Sequence, residues 1–147
     1  MNTTILQKIE RYGDTHHPYW LDFLRIALGA VLLIKGIQFV KNIEGLQQII
    51  AASRFPWLSI FIAHYVAMAH LAGGPLIAAG LITRIAVLFQ LPILLGAIVF
   101  VHKWDEFIVS GSELLFAIII LLMLMFFLIY GSGPLSVDEW MKKQKEK

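Results

Sequence analysis

Two histidines interrupt an otherwise apolar stretch, His64 and His70 in SIFIAHYVAMAHLAGGP, Ser59 to Pro75. A neutral imidazole donates through one ring nitrogen and accepts through the other, and it titrates near neutrality. Such a group suits a proton relay or a hydrogen bond to a small ligand. On one helix the two rings would stand roughly 9 Å apart along the axis and about 120° apart around it. That spacing makes no joint metal site, which on a helix needs ligands four residues apart on one face, and no metal is expected. His70 is followed one turn on by Gly73 and Gly74, where a neighbouring helix or a ligand could approach. A charged imidazole is costly in an apolar interior, so His70 is expected to be neutral, donating through one nitrogen and accepting through the other. Gln90, in the next apolar segment, could face the same interior. His70, His64 and Gln90 are therefore the candidates for ligand binding or proton relay; a histidine hydrogen-bonded inside the fold for structural reasons is the alternative.

Other polar residues fall into two layers. Asp22 and Arg25 are three apart and share a helical stripe with Gly29 and Gly36. Lys35 and Gln38 point away from that stripe, at the depth of His102 and Glu113. Lys35 and Glu113 are expected to form a structural ion pair, with snorkelling of Lys35 to the interface as the alternative.

The elements that carry these residues follow from composition. The 147 residues are 59% hydrophobic, with a mean hydropathy of +0.76, which exceeds the balance that keeps a soluble domain wet. A bilayer-spanning helix needs about 20 mainly apolar residues, with its backbone polar groups satisfied internally. The chain has room for four, expected at about residues 21–40, 57–82, 85–101 and 113–130, in an all-α transmembrane bundle read as one domain over 1–147. Pro75 and Pro92 fall inside spans, where each removes a backbone donor. The spaces that kinked helices leave could hold a small apolar ligand such as a quinone. The fourth span is apolar all round. Residues 2–12 and 41–55 alternate apolar and polar residues at helical spacing, the pattern of interfacial helices.

Four spans place the termini and the second-to-third turn on one side, with seven of the basic residues: Lys8, Arg11, Arg84, Lys142, Lys143, Lys145 and Lys147. Only Lys41, Arg54 and Lys103 fall on the other side. The bias predicts cytoplasmic termini and explains the basic pI better than nucleic acid would. Glu10, Asp14 and the length of the first apolar segment do not fit a cleaved secretory signal. Cysteine is absent, so thiol chemistry is excluded and any redox chemistry needs a cofactor or another subunit.

Three segments together resemble the DoxX family of small four-helix membrane proteins: LRIALGAVLLIKG (Leu24 to Gly36), HLAGGPLIAAGLITR (His70 to Arg84) and GSGPLSVDEW (Gly131 to Trp140). The resemblance implies an up-and-down bundle in a bacterial inner membrane and, from the subunit that gives the family its name, an association with thiosulfate:quinone oxidoreduction. The family's first-span arginine matches Arg25, and its Thr-Arg after the second span matches Thr83 and Arg84. Where the family usually has a glutamate before the Gly-Gly pair, this chain has His70. The ending places Asp138 beside both arginines, and Asp138 is expected to dock the tail onto them.

Three functions compete. The first is a membrane subunit of a quinone-linked sulfur or respiratory redox complex, with a redox partner protein. The second is a non-enzymatic scaffold that holds a partner through its interfacial helices and basic tail; the chain has no nucleophile–base set, phosphate loop or metal cluster. The third is a small-solute transporter, disfavoured because four helices pack too tightly for a pore. Substrate, partner and oligomeric state are not legible.

Overall fold

A computed structural model describes residues 19–53, 56–101, 107–133 and 135–145. The expected N-terminal amphipathic helix at 2–12, and His102, lie outside the described residues. Helix α1 (Trp20–Lys41) is followed by α2 (Ile43–Ala51), a 3₁₀ turn (Pro56–Leu58), α3 (Ser59–Ala79), α4 (Thr83–Gly96) with a π-helical extension (Ala97–Val101), α5 (Phe107–Tyr130) and α6 (Val137–Lys145). Four of these segments are long and apolar enough to cross a membrane: Trp20–Lys41, Pro56–Ala79, Thr83–Phe100 and Glu113–Tyr130. At 1.5 Å per residue the 22 residues of α1 reach about 33 Å, enough for a hydrocarbon core of about 30 Å.

The stripe read from the sequence is the buried face of α1: Asp22, Arg25, Leu28, Gly29, Leu32 and Gly36. It packs on α3 in the most extensive helix contact of the molecule. Glycine is required there because backbone meets backbone. A Cβ on Gly29 would lie 2.5 Å from Ala78 N and Gly74 O, and one on Gly36 2.6 Å from Leu71 N. In lipid, where apolar surface gains little from being hidden, such close backbone approach is what drives helix association. The interior between the helices is filled by Leu28, Leu32, Ile77, Val87, Ile120, Leu124 and Phe127.

Helix ends have local causes. Asn42 caps α2 by accepting from Gly45 N at 3.3 Å, and α2 lies against α3 as the expected interfacial element. Helix α3 stops at Ala79 rather than residue 82 because Gly80 turns left-handed (φ 69°), with Gly80 N on Ile77 O and Leu81 N on Leu76 O. Helix α5 begins at Phe107, ahead of the expected Glu113, and ends where Gly131 adopts φ 80°. From Leu114 to Ile129 it is apolar all round, yet Leu114, Ala117, Ile120, Leu124 and Phe127 form one buried stripe.

Helix α1 touches α5 only slightly. Between them an apolar groove of about 300 Å³ is lined by Trp20, Leu21, Leu24, Ile119, Leu122, Met123, Phe126 and Phe127.

Candidate functional site

One end of the bundle carries a clamp on the C-terminal segment. Asp22 and Arg25 are both buried, with Arg25 Nη1 3.4 Å from Asp22 Oδ1. The pair is within ion-pair distance but is not aligned as a hydrogen bond. Each side chain instead reaches the backbone of Leu135: Arg25 Nη2 donates to its carbonyl at 3.1 Å, and its N–H donates to Asp22 Oδ2 at 3.3 Å. Arg84 Nη2 lies 3.4 Å from Ile129 O, against the turn at Gly131.

Asp138 docks the tail through hydrogen bonds to backbone groups, and its charge is also attracted to that of Arg25. Its carboxylate accepts from Ile82 N at 2.9 Å and Thr83 N at 3.4 Å, while its own N–H donates to Gly80 O at 3.1 Å. The physical reason is the start of α4, whose first N–H groups have no intrahelical acceptor and carry the positive end of the helix dipole. Ile82, at φ 50°, presents its N–H to that carboxylate. Sequence patterns could not show this, because most partners are backbone atoms. Ser136 completes the clamp, donating to Gly133 O at 2.6 Å and capping α6 through Glu139 N at 3.1 Å.

The second polar site lies within the bundle. His70 is buried on α3, where Phe39 of α1 meets its ring edge-to-face with centroids 5.2 Å apart. The missing side chain at Gly36 lets α1 come this close, since a Cβ there would lie 2.9 Å from the His70 carbonyl carbon. His70 Nδ1 is 2.9 Å from Val66 O. A carbonyl only accepts, so Nδ1 carries the proton. In the neutral ring Nε2 is then an acceptor, and among the described residues none donates to it. The donating nitrogen expected of the neutral ring is thus used by the helix itself.

Gln90 of α4 is fully enclosed beside the next turn of α3. Its Nε2 donates to Ala69 O at 2.8 Å, and its Oε1 has no hydrogen-bond partner among the described residues. Gly73 makes this reach possible, because a Cβ there would lie 2.8 Å from the amide nitrogen. Ala69 and Gly73 hold Gln90 on one side of α3, Leu71 and Gly74 hold α1 on another, and His70 lies between those faces. His70 and the Ala69 carbonyl that holds Gln90 thus belong to the same turn of α3.

His64 does not join them. It is exposed on the outer surface of α3, with Nδ1 bonded to Ile60 O at 2.8 Å. Tyr65, which the sequence did not single out, donates its hydroxyl to Phe89 O at 3.0 Å, one turn before Pro92. The expected Lys35–Glu113 pair is not formed. Lys35 Nζ instead lies over the Phe116 ring, 5.9 Å from its centroid, and Glu113 is exposed. An aromatic face stabilises a cation where water is scarce. Among the described residues no cluster of three potential metal ligands occurs.

Comparison with known proteins gives two matches. The DoxX family model matches residues 20–103. A curated protein of Bacillus subtilis (strain 168), named "Putative oxidoreductase CatD", is 32% identical over 124 residues, covering 84% of this chain and 87% of its own length. No solved structure matches.

Proposed function

Since this chain belongs to the DoxX family of integral membrane proteins, we propose that it is a small membrane subunit of a quinone-linked redox system. In this reading it resides in a bacterial cytoplasmic membrane with both termini inside, following the seven-to-three bias of basic residues. The name of the Bacillus subtilis relative supports oxidoreduction as the general class.

The observation that carries the proposal is two acceptors held on one stretch of α3: His70 Nε2, left open by the Nδ1–H bond to Val66 O, and the enclosed Gln90 Oε1, which has no partner among the described residues. Leaving a buried acceptor without a donor costs about 1–3 kcal/mol, so a ligand that brings hydroxyl groups recovers that energy. A hydroquinone has two hydroxyls on an apolar ring; the oxidised quinone has only carbonyls. The site therefore favours the reduced form. The chain's part is to bind and orient the head group and to hold a proton at His70 Nε2. The electrons pass to a second protein, the redox partner, since no cysteine is available here.

The test is purification in mild detergent followed by extraction and chromatography of the co-purified lipid. A stoichiometric quinone species, depleted in His70→Gln, supports the proposal. Its absence, together with no shift in melting on adding a soluble hydroquinone, contradicts it.

A further inference from the structure

Among the described residues, helix α6 leaves an apolar face exposed. Val137, Trp140 and Met141 are spaced three and four residues apart, which places them on one helical face, and all three are exposed, Trp140 at 60%. Leu135, just ahead of the helix, is exposed at 57%. The rest of the circumference is polar. Asp138 is consumed by the start of α4, and Glu139 pairs with Lys143 at 3.8 Å. With Lys143 paired to Glu139, Lys142, Lys145 and Lys147 still outnumber Glu146 in the sequence from residue 142 onward, leaving an excess of positive charge.

The clamp fixes where this face lies. Bonds from Asp138 to Gly80, Ile82 and Thr83 tie the first turn of α6 to the point where α3 ends and α4 begins. Tyr19 and Trp20, at the start of α1, and Ile82 and Ile85, at the start of α4, are exposed at the same end. That end is where two spans meet the membrane–water interface, and aromatic residues favour that depth. An amphipathic helix held there, with tryptophan on one face and lysines beside it, has the composition of an in-plane interfacial helix. Basic residues next to such a helix are attracted to anionic headgroups.

We propose that α6 is a lipid-reading helix that docks on anionic phospholipid headgroups, its Val137–Trp140–Met141 face in the upper acyl region and its lysines on the phosphates. The clamp supplies its position, so docking orders a helix that is already tethered.

A chain without cysteine allows a direct test on the full-length protein. Met141→Cys, carrying an environment-sensitive fluorophore, is reconstituted into nanodiscs of phosphatidylcholine alone or mixed with phosphatidylglycerol. Lys143→Cys serves as the polar-face control. The expected result is a blue-shifted Met141→Cys label in the mixed discs, several-fold less quenched by aqueous acrylamide and quenched by spin labels on the upper acyl chain. High salt, or the combined Lys142→Gln, Lys143→Gln and Lys145→Gln changes, should return it to its phosphatidylcholine value while the melting temperature is unchanged. A label equally buried in both disc types would overturn the anionic reading. A label open to acrylamide in both would overturn membrane docking. If shielding came only on adding a soluble protein fraction, the face would belong to a protein partner and the proposal would also fall.

Discussion

The two sides of α1 are built on opposite principles. Toward α3, Gly29 and Gly36 bring backbone against backbone, and a single added carbon would fall within 2.6 Å of main-chain atoms. Toward α5, large side chains stand apart and leave an apolar groove between Trp20 and Phe127. The close seam is stiff because its contacts are main chain, and close-packed interiors cannot absorb added volume. His70 and Phe39 meet beside Gly36 on this stiff side. The loose side is lined by side chains that can rotate. The bundle thus buries His70 on the rigid seam and leaves an apolar groove on the looser side.

That contrast is broken or sharpened by substitutions on each side. The largest effect should come from Gly74→Val, whose Cβ would lie 2.6 Å from Leu33 N and 2.8 Å from Gly29 O. Overpacking against main chain should cost about 3 kcal/mol, read as lost reversible unfolding stability in detergent. A change under about 1 kcal/mol would show that α1 and α3 separate easily. Next comes Asp138→Ala, which removes an acceptor from two N–H groups at the start of α4. A loss of about 1–2 kcal/mol is expected, in the range of lost helix caps, with faster proteolysis of the tail. Asp138→Asn, which keeps one acceptor oxygen, should recover part of both.

His70→Gln removes the bond to Val66 O and the ring contact with Phe39, while a polar group of similar length remains. The fold should survive with a loss of about 1 kcal/mol, and the variant should lose its melting response to hydroquinone. If it complements a deletion fully in the cell, proton transfer through His70 is excluded. The smallest effect belongs to the groove. Leu122 is 60% exposed, so Leu122→Ala should change stability by under about 0.5 kcal/mol. A loss of several times that would mean that the groove is closed by protein and the comparison fails.

Much of this organisation was legible in the sequence. Hydropathy and length gave four spans, and the spacing of Asp22, Arg25, Gly29 and Gly36 gave the face that α1 turns toward α3. Membrane helices announce themselves because lipid demands long apolar segments with internally bonded backbones. Span limits were less clear where backbone conformation decides them, as at Gly80, whose left-handed turn ends α3 before the apolar run does. His70 and Gln90 were legible as buried polar groups. What they bond was not, because Val66 and Ala69 contribute only carbonyls, and a carbonyl has no signature in a sequence. The same blindness hid the backbone partners of Asp138. Charge pointed to the arginines, and the N–H groups at the start of α4 add two donors to the same carboxylate. Lys35 went to an aromatic face for a related reason, since Phe116 reads as one more apolar residue until the helices are packed.

The central claim is that His70 offers an acceptor, not a donor, to a ligand inside the bundle. It is tested most directly by nitrogen NMR of the imidazole-labelled protein, with His70 assigned by the signal lost in His70→Gln. The account predicts a protonated Nδ1 and an unprotonated Nε2, whose resonance moves upfield when a soluble hydroquinone is added and stays in place when the matching quinone is added. A protonated Nε2 in the ligand-free protein, or an equal response to both redox forms, would contradict it.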